Sequence, residues 1–158
     1  MSGGLYLVRR GLVWLGWLML GAMLALAGCG DDRRLANVSE AEIAAKSQAW
    51  AQHQISDYTM VYRESCFCES GEITVVVRGG KLENATREVN GVTGVSAVQN
   101  PQTVAGLFDL IRRARQEADE LEVRFDDALD FPDRISIDWY RNAVDDEYGL
   151  TVVRLTRQ

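Results

Sequence analysis

Ile73-Thr-Val-Val-Val-Arg-Gly-Gly-Lys-Leu82 is the stretch from which the fold is read. Ile73–Val77 is β-branched throughout, and two heavy atoms on Cβ favour extended backbone. Gly79-Gly80 then parts Val75–Arg78 from Lys81-Leu82 by two residues that accept positive φ, the signal of a tight hairpin. A third strand is expected to run on toward Val89. Upstream, Tyr58, Met60 and Tyr62 alternate with Thr59 and Val61, so Asp57–Cys68 is expected to be a strand that turns at Glu69-Ser70-Gly71. Three consecutive strands joined by short turns make an antiparallel sheet.

Helices flank this meander. Ser39-Glu-Ala-Glu42 has the form of a capping box, and helix is expected from there to Gln54, with Ile43 and Trp50 on one face. Asn90–Asn100 reads as a loop. Pro101 opens a second helix, in which Val104, Leu107, Phe108, Ile111 and Ala118 form one buried stripe. Short strands follow at Leu121–Phe125, at Ile135–Trp139 and at Tyr148–Leu155. The turns between them are Asp126–Asp133 and Asn142–Glu147. The expected class is α+β: a mostly antiparallel sheet with two helices packed on it. The order, one helix and three strands twice over, suggests a duplicated αβββ unit, although the halves share little residue identity.

The first 28 residues stand apart as a lipoprotein signal peptide. Arg9 and Arg10 charge a short head, Gly11–Ala27 is apolar without interruption, and Leu26-Ala27-Gly28-Cys29 follows. A basic head, an apolar centre and a small-residue cut site define an export signal. The last four residues resemble a lipobox, which implies cleavage before Cys29 and a lipid on its sulfur. The competing reading is an uncleaved membrane anchor. Seventeen apolar residues lie at the short edge of the roughly 17–25 that cross a bilayer, and that reading leaves Gly28-Cys29 at the end of the apolar run without a reason. Arg9-Arg10 lacks the flanking pattern of a twin-arginine signal. Gly30 after the cysteine, by the same resemblance, favours the outer membrane facing the periplasm. Residues 29–38 read as a lipidated tether and 39–158 as a single domain.

Residues 29–158 carry 15 basic and 23 acidic side chains. That surface argues against nucleic acid as a partner. Of the three cysteines Cys29 is assigned to lipid, and the one histidine leaves little material for a Ser-His-Asp hydrolase.

Several stretches together resemble the bacterial lipoproteins that carry domain of unknown function 6174. They are Trp50, Tyr58-Thr-Met-Val-Tyr62 leading into Cys66-Phe67-Cys68, Val75-Val-Val-Arg-Gly-Gly80, Thr103–Ile111, Val123-Arg-Phe-Asp126 and Phe131–Asp138. The resemblance covers most of the chain after the signal, and Cys-x-Cys behind a tyrosine-rich strand is its most specific part. It implies no activity. The family pattern has glycine before the aromatic-proline pair, where this chain has Asp130, a departure expected to reshape that turn.

Cys66 and Cys68 are the sharpest chemical feature. On a regular strand their Cβ atoms lie roughly 6–7 Å apart, whereas a disulfide needs about 3.5–4.5 Å. A bridge therefore requires a bulge or turn at the strand end. The alternatives are a soft metal such as Cu(I) or Zn(II) on the two thiolates, with His53 or Met60 as third ligand, a redox pair, or two inert thiols. Asp126, Asp127, Asp130 and Asp133 are candidate calcium ligands, but they lack the EF-hand spacing and aspartate is a common turn residue. His53 at a helix end suits the helix dipole. Tyr58, Tyr62, Trp50 and Trp139 read as core. No catalytic residue and no resident cofactor is expected. The functional expectation is a lipid-anchored, non-catalytic envelope lipoprotein that binds another envelope component, with metal handling at Cys66/Cys68 as the alternative.

Overall fold

In a computed structural model, which describes residues 35–67, 70–94 and 98–158, the Gly79-Gly80 hairpin is present as read. Both glycines have positive φ, 53° and 73°, the backbone of the turn that matches strand twist. Open space surrounds both positions, so conformation and not crowding selects glycine there. The hairpin is tied down from outside: the Gly79 amide donates to Asp57 Oδ1 at 2.8 Å and the Gly80 amide to the Ser56 carbonyl at 2.8 Å.

The element order is β1 (Leu35–Ala36), α1 (Glu40–Gln52), β2 (Tyr58–Ser65), β3 (Glu72–Arg78), β4 (Lys81–Val89), β5 (Val92–Thr93), α2 (Val104–Glu117), β6 (Glu120–Phe125), β7 (Pro132–Asp138) and β8 (Glu147–Arg157). The strands form one sheet in the order β1-β6-β7-β8-β2-β3-β4-β5. All neighbours are antiparallel except β1 and β6. The class is α+β. Two meanders, β6-β7-β8 and β2-β3-β4, lie side by side through the β8–β2 pairing, and each follows a helix in the chain. That is a repetition of element order; duplication is not shown by it. The two-residue strands β1 and β5 shield the edges of the longer β6 and β4, a common way to blunt open edges.

One face of the sheet is dry. Tyr58, Met60 and Tyr62, Ile73, Val75 and Val77, Leu121 and Val123, Ile135, Ile137 and Leu150 all enter one core cluster with Ile43 of α1 and Val104, Leu107, Phe108 and Ile111 of α2. The alternate residues face solvent, the expected pattern when helices cover one side of an antiparallel sheet. Trp50 of α1 meets Tyr58 and Phe131 edge-on, each with ring centroids 5.9 Å apart.

Several boundaries differ from the sequence reading. β2 ends at Ser65, not at Cys68. Residues 90–100 are not all loop: Asn90 and Gly91, with φ of 51° and 80°, make a second tight turn into β5. α2 begins at Val104 with Thr103 as its cap, three residues after Pro101, and Ala118 is buried beyond the helix in extended backbone. Pro132 opens β7 and does not sit in the turn. The end of the expected tether belongs to the fold: Leu35–Ala36 pairs with β6, Val38 is buried, and the Asn37 amide side chain bridges Val123 N and O at 2.9 and 3.1 Å. Among the described residues, no helix is long and apolar enough to cross a membrane. Residues 1–34, with the signal and Cys29, lie outside the described residues.

Candidate functional site

Alternation along β2 puts Tyr58, Met60, Tyr62 and Glu64 on the dry face, so this row of core side chains ends in a carboxylate. β4 does the same with Arg87, whose strand partner Ile73 is fully buried. The side chains of Glu64 and Arg87 are only 12% and 8% exposed, with Oε2 and Nη2 3.4 Å apart. From β8, the Tyr148 hydroxyl donates to Glu64 Oε1 at 2.8 Å. Burial with this much polarity is costly unless partners are supplied, and here they come from three strands.

The loop before α2 closes over the cluster. The amides of Gln102 and Val104 donate to the hydroxyls of Tyr62 and Tyr58 at 3.0 and 2.9 Å. Between loop and sheet lies a cavity of about 250 Å³, lined by Glu64, Gln102, Leu110, Arg113, Trp139 and Tyr148 among others. The Arg113 guanidinium lies 5.3 Å from the Trp139 ring centre at its wall. A larger hollow of about 560 Å³ on the solvated face runs over Ser65, Ser136 and Gly149. Its cations stand in water, and Arg63 there is paired with Glu72. Glu64 borders both hollows, but only the smaller one adds Tyr148, whose hydroxyl holds that carboxylate, and the Trp139 ring, so it is the better candidate.

Burial pushes the Tyr62 hydroxyl up to about 12, against the lowering effect of the Gln102 amide. Burial raises Tyr148 as well, reinforced by the negative charge of Glu64, and it raises Tyr58. All three tyrosines are neutral hydroxyls near pH 7, able to give and accept hydrogen bonds but not to act as bases. The cavity wall offers the Glu64 carboxylate, the neutral Tyr148 hydroxyl, the Arg113 guanidinium, side-chain amides and the Trp139 indole, a set suited to holding a polar group by hydrogen bonds.

The residues singled out by sequence do not converge on this site. Cys29 and Cys68 lie outside the described residues. Cys66 follows β2, half-buried near Phe67, Asp145 and Glu147, and it is engaged, not free. Met60 is sealed in the core at 0% exposure, and six strand residues put it roughly 20 Å from Cys66. His53 caps α1 at the opposite end of β2, with Nε2 3.5 Å from Asp130 Oδ2. Neither is placed as a third ligand for the cysteines.

The four aspartates have separate duties. Asp126 accepts the amides of Ala128 and Leu129 on Oδ1 at 3.0 and 2.8 Å. Asp133 takes a two-pronged grip from Arg124. Asp130 receives Lys46 Nζ at 2.6 Å, and that bond holds its carboxyl below the usual range. Asp127 adds only charge to Lys46 and Arg124. Among the described residues no three His, Cys, Asp or Glu side chains are grouped to hold a metal ion. The turn at Asp130 has left-handed backbone, φ 61°, a conformation that glycine adopts without strain. The Asp130 carboxylate pairs there with Lys46 of α1.

Sequence reading missed Glu64, Arg87 and Tyr148. The signal was present, since Glu64 continues the i, i+2 row of Tyr58, Met60 and Tyr62, and a charge on an apolar row marks an enclosed polar site.

Comparison with curated proteins finds no match, and comparison with solved structures finds none. Residues 42–157, well over half of the chain, match a family of unknown function, DUF6174. The chain belongs to that family.

Proposed function

We propose that this chain is an exported lipoprotein, held by lipid on Cys29 at the outer membrane and facing the periplasm, whose folded part is a non-catalytic module that binds another envelope component. The cavity beside Glu64 is the observation that carries the binding reading. It joins an enclosed carboxylate with donors and acceptors in fixed positions, and its Tyr148 hydroxyl is too weakly acidic to serve as a base. Export and lipidation rest on Gly11–Ala27 and Leu26–Cys29, and the acidic balance disfavours nucleic acid.

Labelled palmitate should enter the protein, and Cys29→Ser should lose the label and release the chain from membranes. A photo-crosslinking residue at Gln99, exposed at the cavity rim, should capture one envelope component, with capture lost on Glu64→Gln and absent from Leu82. Equal capture at Gln99 and Leu82 would defeat the pocket reading. Turnover of an envelope substrate that Glu64→Gln abolishes would make the module an enzyme.

For the cysteines, a Cys66–Cys68 bridge is favoured over metal handling, because Met60 is sealed in the core and His53 faces Asp130, so neither completes a ligand set. Intact mass before and after reduction should differ by two hydrogens. Two thiols alkylated without reductant would revive the metal reading, and Cu(I) titration would then decide it.

A further inference from the structure

We infer that the end of the sheet carrying Phe67, Tyr140 and Val144 rests on the bilayer to which Cys29 is anchored; the inference depends on the lipid-anchor reading. Three independent features meet at this end. The register Leu35↔Glu120, Glu120↔Asp138 and Asp138↔Glu147, with Ser65 opposite Gly149, runs along one edge of the sheet from β1 to β2. The folded chain therefore begins at this end. The same end holds the β7–β8 turn, with Tyr140 and Val144, and the exit of β2, with Phe67.

These three are the most exposed large hydrophobic side chains among the described residues: Phe67 at 88%, Val144 at 85% and Tyr140 at 68%. Phe67 borders a dent that Asp145 and Glu147 share, so the β2 exit and the turn are neighbours. Exposed aromatic and branched side chains gathered at one place mark a contact surface, whereas single ones are ordinary.

The length of chain outside the fold selects the occupant. Six Cα steps separate Cys29 from Leu35, and six residues span at most about 22 Å when fully extended. From β1 to β2 the edge crosses four strand spacings, roughly 19 Å. A lipid on Cys29 thus leaves the whole edge within reach of the headgroups, and the opposite end, with Gly79-Gly80 and Leu82, is the farther from the tether. Aromatic rings with a polar tip, as on Tyr140, suit the headgroup layer. Two carboxylates at this end are turned to the chain itself: Asp146 accepts the Tyr140 amide at 2.6 Å and Asp119 the Arg141 amide at 3.0 Å. Glu120, Asp145 and Glu147 remain exposed, and they make a zwitterionic surface the better match than an anionic one. Because Trp139 precedes Tyr140 and Glu64 precedes Ser65, the cavity lies near this end, close to the lipid surface.

The test uses lipidated protein purified from membranes and placed on phosphatidylcholine vesicles whose acyl chains are brominated. Single variants Phe67→Trp, Val144→Trp and Leu82→Trp each add one emitter to the native tryptophans. The added emission should be lost at 67 and 144 and kept at 82. Equal emission at all three positions, on protein retained by the vesicles, overturns the contact while leaving the anchor intact. Protein that is not retained refutes the anchor reading and the contact with it. A concentration-dependent shift at 67 and 144 without vesicles assigns the patch to a second copy and overturns the bilayer contact.

Discussion

Two ion pairs in this molecule have similar chemistry and opposite surroundings. At one end of the sheet, Lys46 and Asp130 meet at 2.6 Å with both side chains partly in water. Toward the other, Glu64 and Arg87 lie 3.4 Å apart, almost fully enclosed. The shorter contact is the less consequential one. Water screens the first pair and solvates either partner when the other is removed. Nothing solvates Glu64 or Arg87 as well, so each depends on what the fold supplies. Contact distance alone ranks these pairs wrongly; burial ranks them.

The largest effect is expected where the enclosed pair is broken from one side. Glu64→Ala takes the Glu64 carboxylate from the buried Arg87 guanidinium and should cost about 3 kcal/mol, read from urea unfolding. A loss below that of an ordinary surface substitution would mean that water reaches Arg87, and the contrast between the two ends would fail.

Next are the hydroxyls that hold the loop over the cluster. Tyr58→Phe and Tyr62→Phe each remove the acceptor of a loop amide and should cost about 1–3 kcal/mol. They also predict a pH effect. Tyr62 titrates near 12 in the fold against about 10 when unfolded. The unfolded chain therefore releases its proton first, and stability, complete below pH 10, should fall as pH rises from 10 to 12. Urea midpoints at pH 9 and pH 11 should differ less in Tyr62→Phe than in the native chain. An unchanged difference would place the alkaline sensitivity elsewhere.

The smallest effect belongs to the exposed pair. Asp130→Gly loses the bond to Lys46 but gains a residue at ease with φ of 61°, so its melting temperature should stay close to native. Asp130→Ala loses the bond and keeps the strain, and should melt lowest of the three. If alanine matched glycine, the left-handed backbone at this turn would not constrain the residue.

Much of this was legible in order of residues. The Gly79-Gly80 turn, the alternating Tyr58–Tyr62 row and the Val104–Ile111 part of the α2 stripe each depend on neighbours within seven positions and were read correctly, whereas Ala118 falls beyond the helix. Asn90-Gly91 was equally local and went unread. The strand end at Ser65 and the late start of α2 were not legible, because long-range pairing and the Tyr58 and Tyr62 hydroxyls set them. Candidate residues fared less well for the same reason: His53, Met60 and the four aspartates are separated in space or bound to other partners.

By itself the sequence determined the α+β class, the two helices and the six longer strands. These follow from backbone preference and side-chain alternation, which act along the chain. Only the tertiary structure decided the sheet order, the joining of β8 to β2, and the meeting of Glu64, Arg87 and Tyr148 from strands up to 84 residues apart. Enclosure raises the titration of Tyr148 and gives all three groups their energetic weight, and enclosure exists only once distant strands have packed.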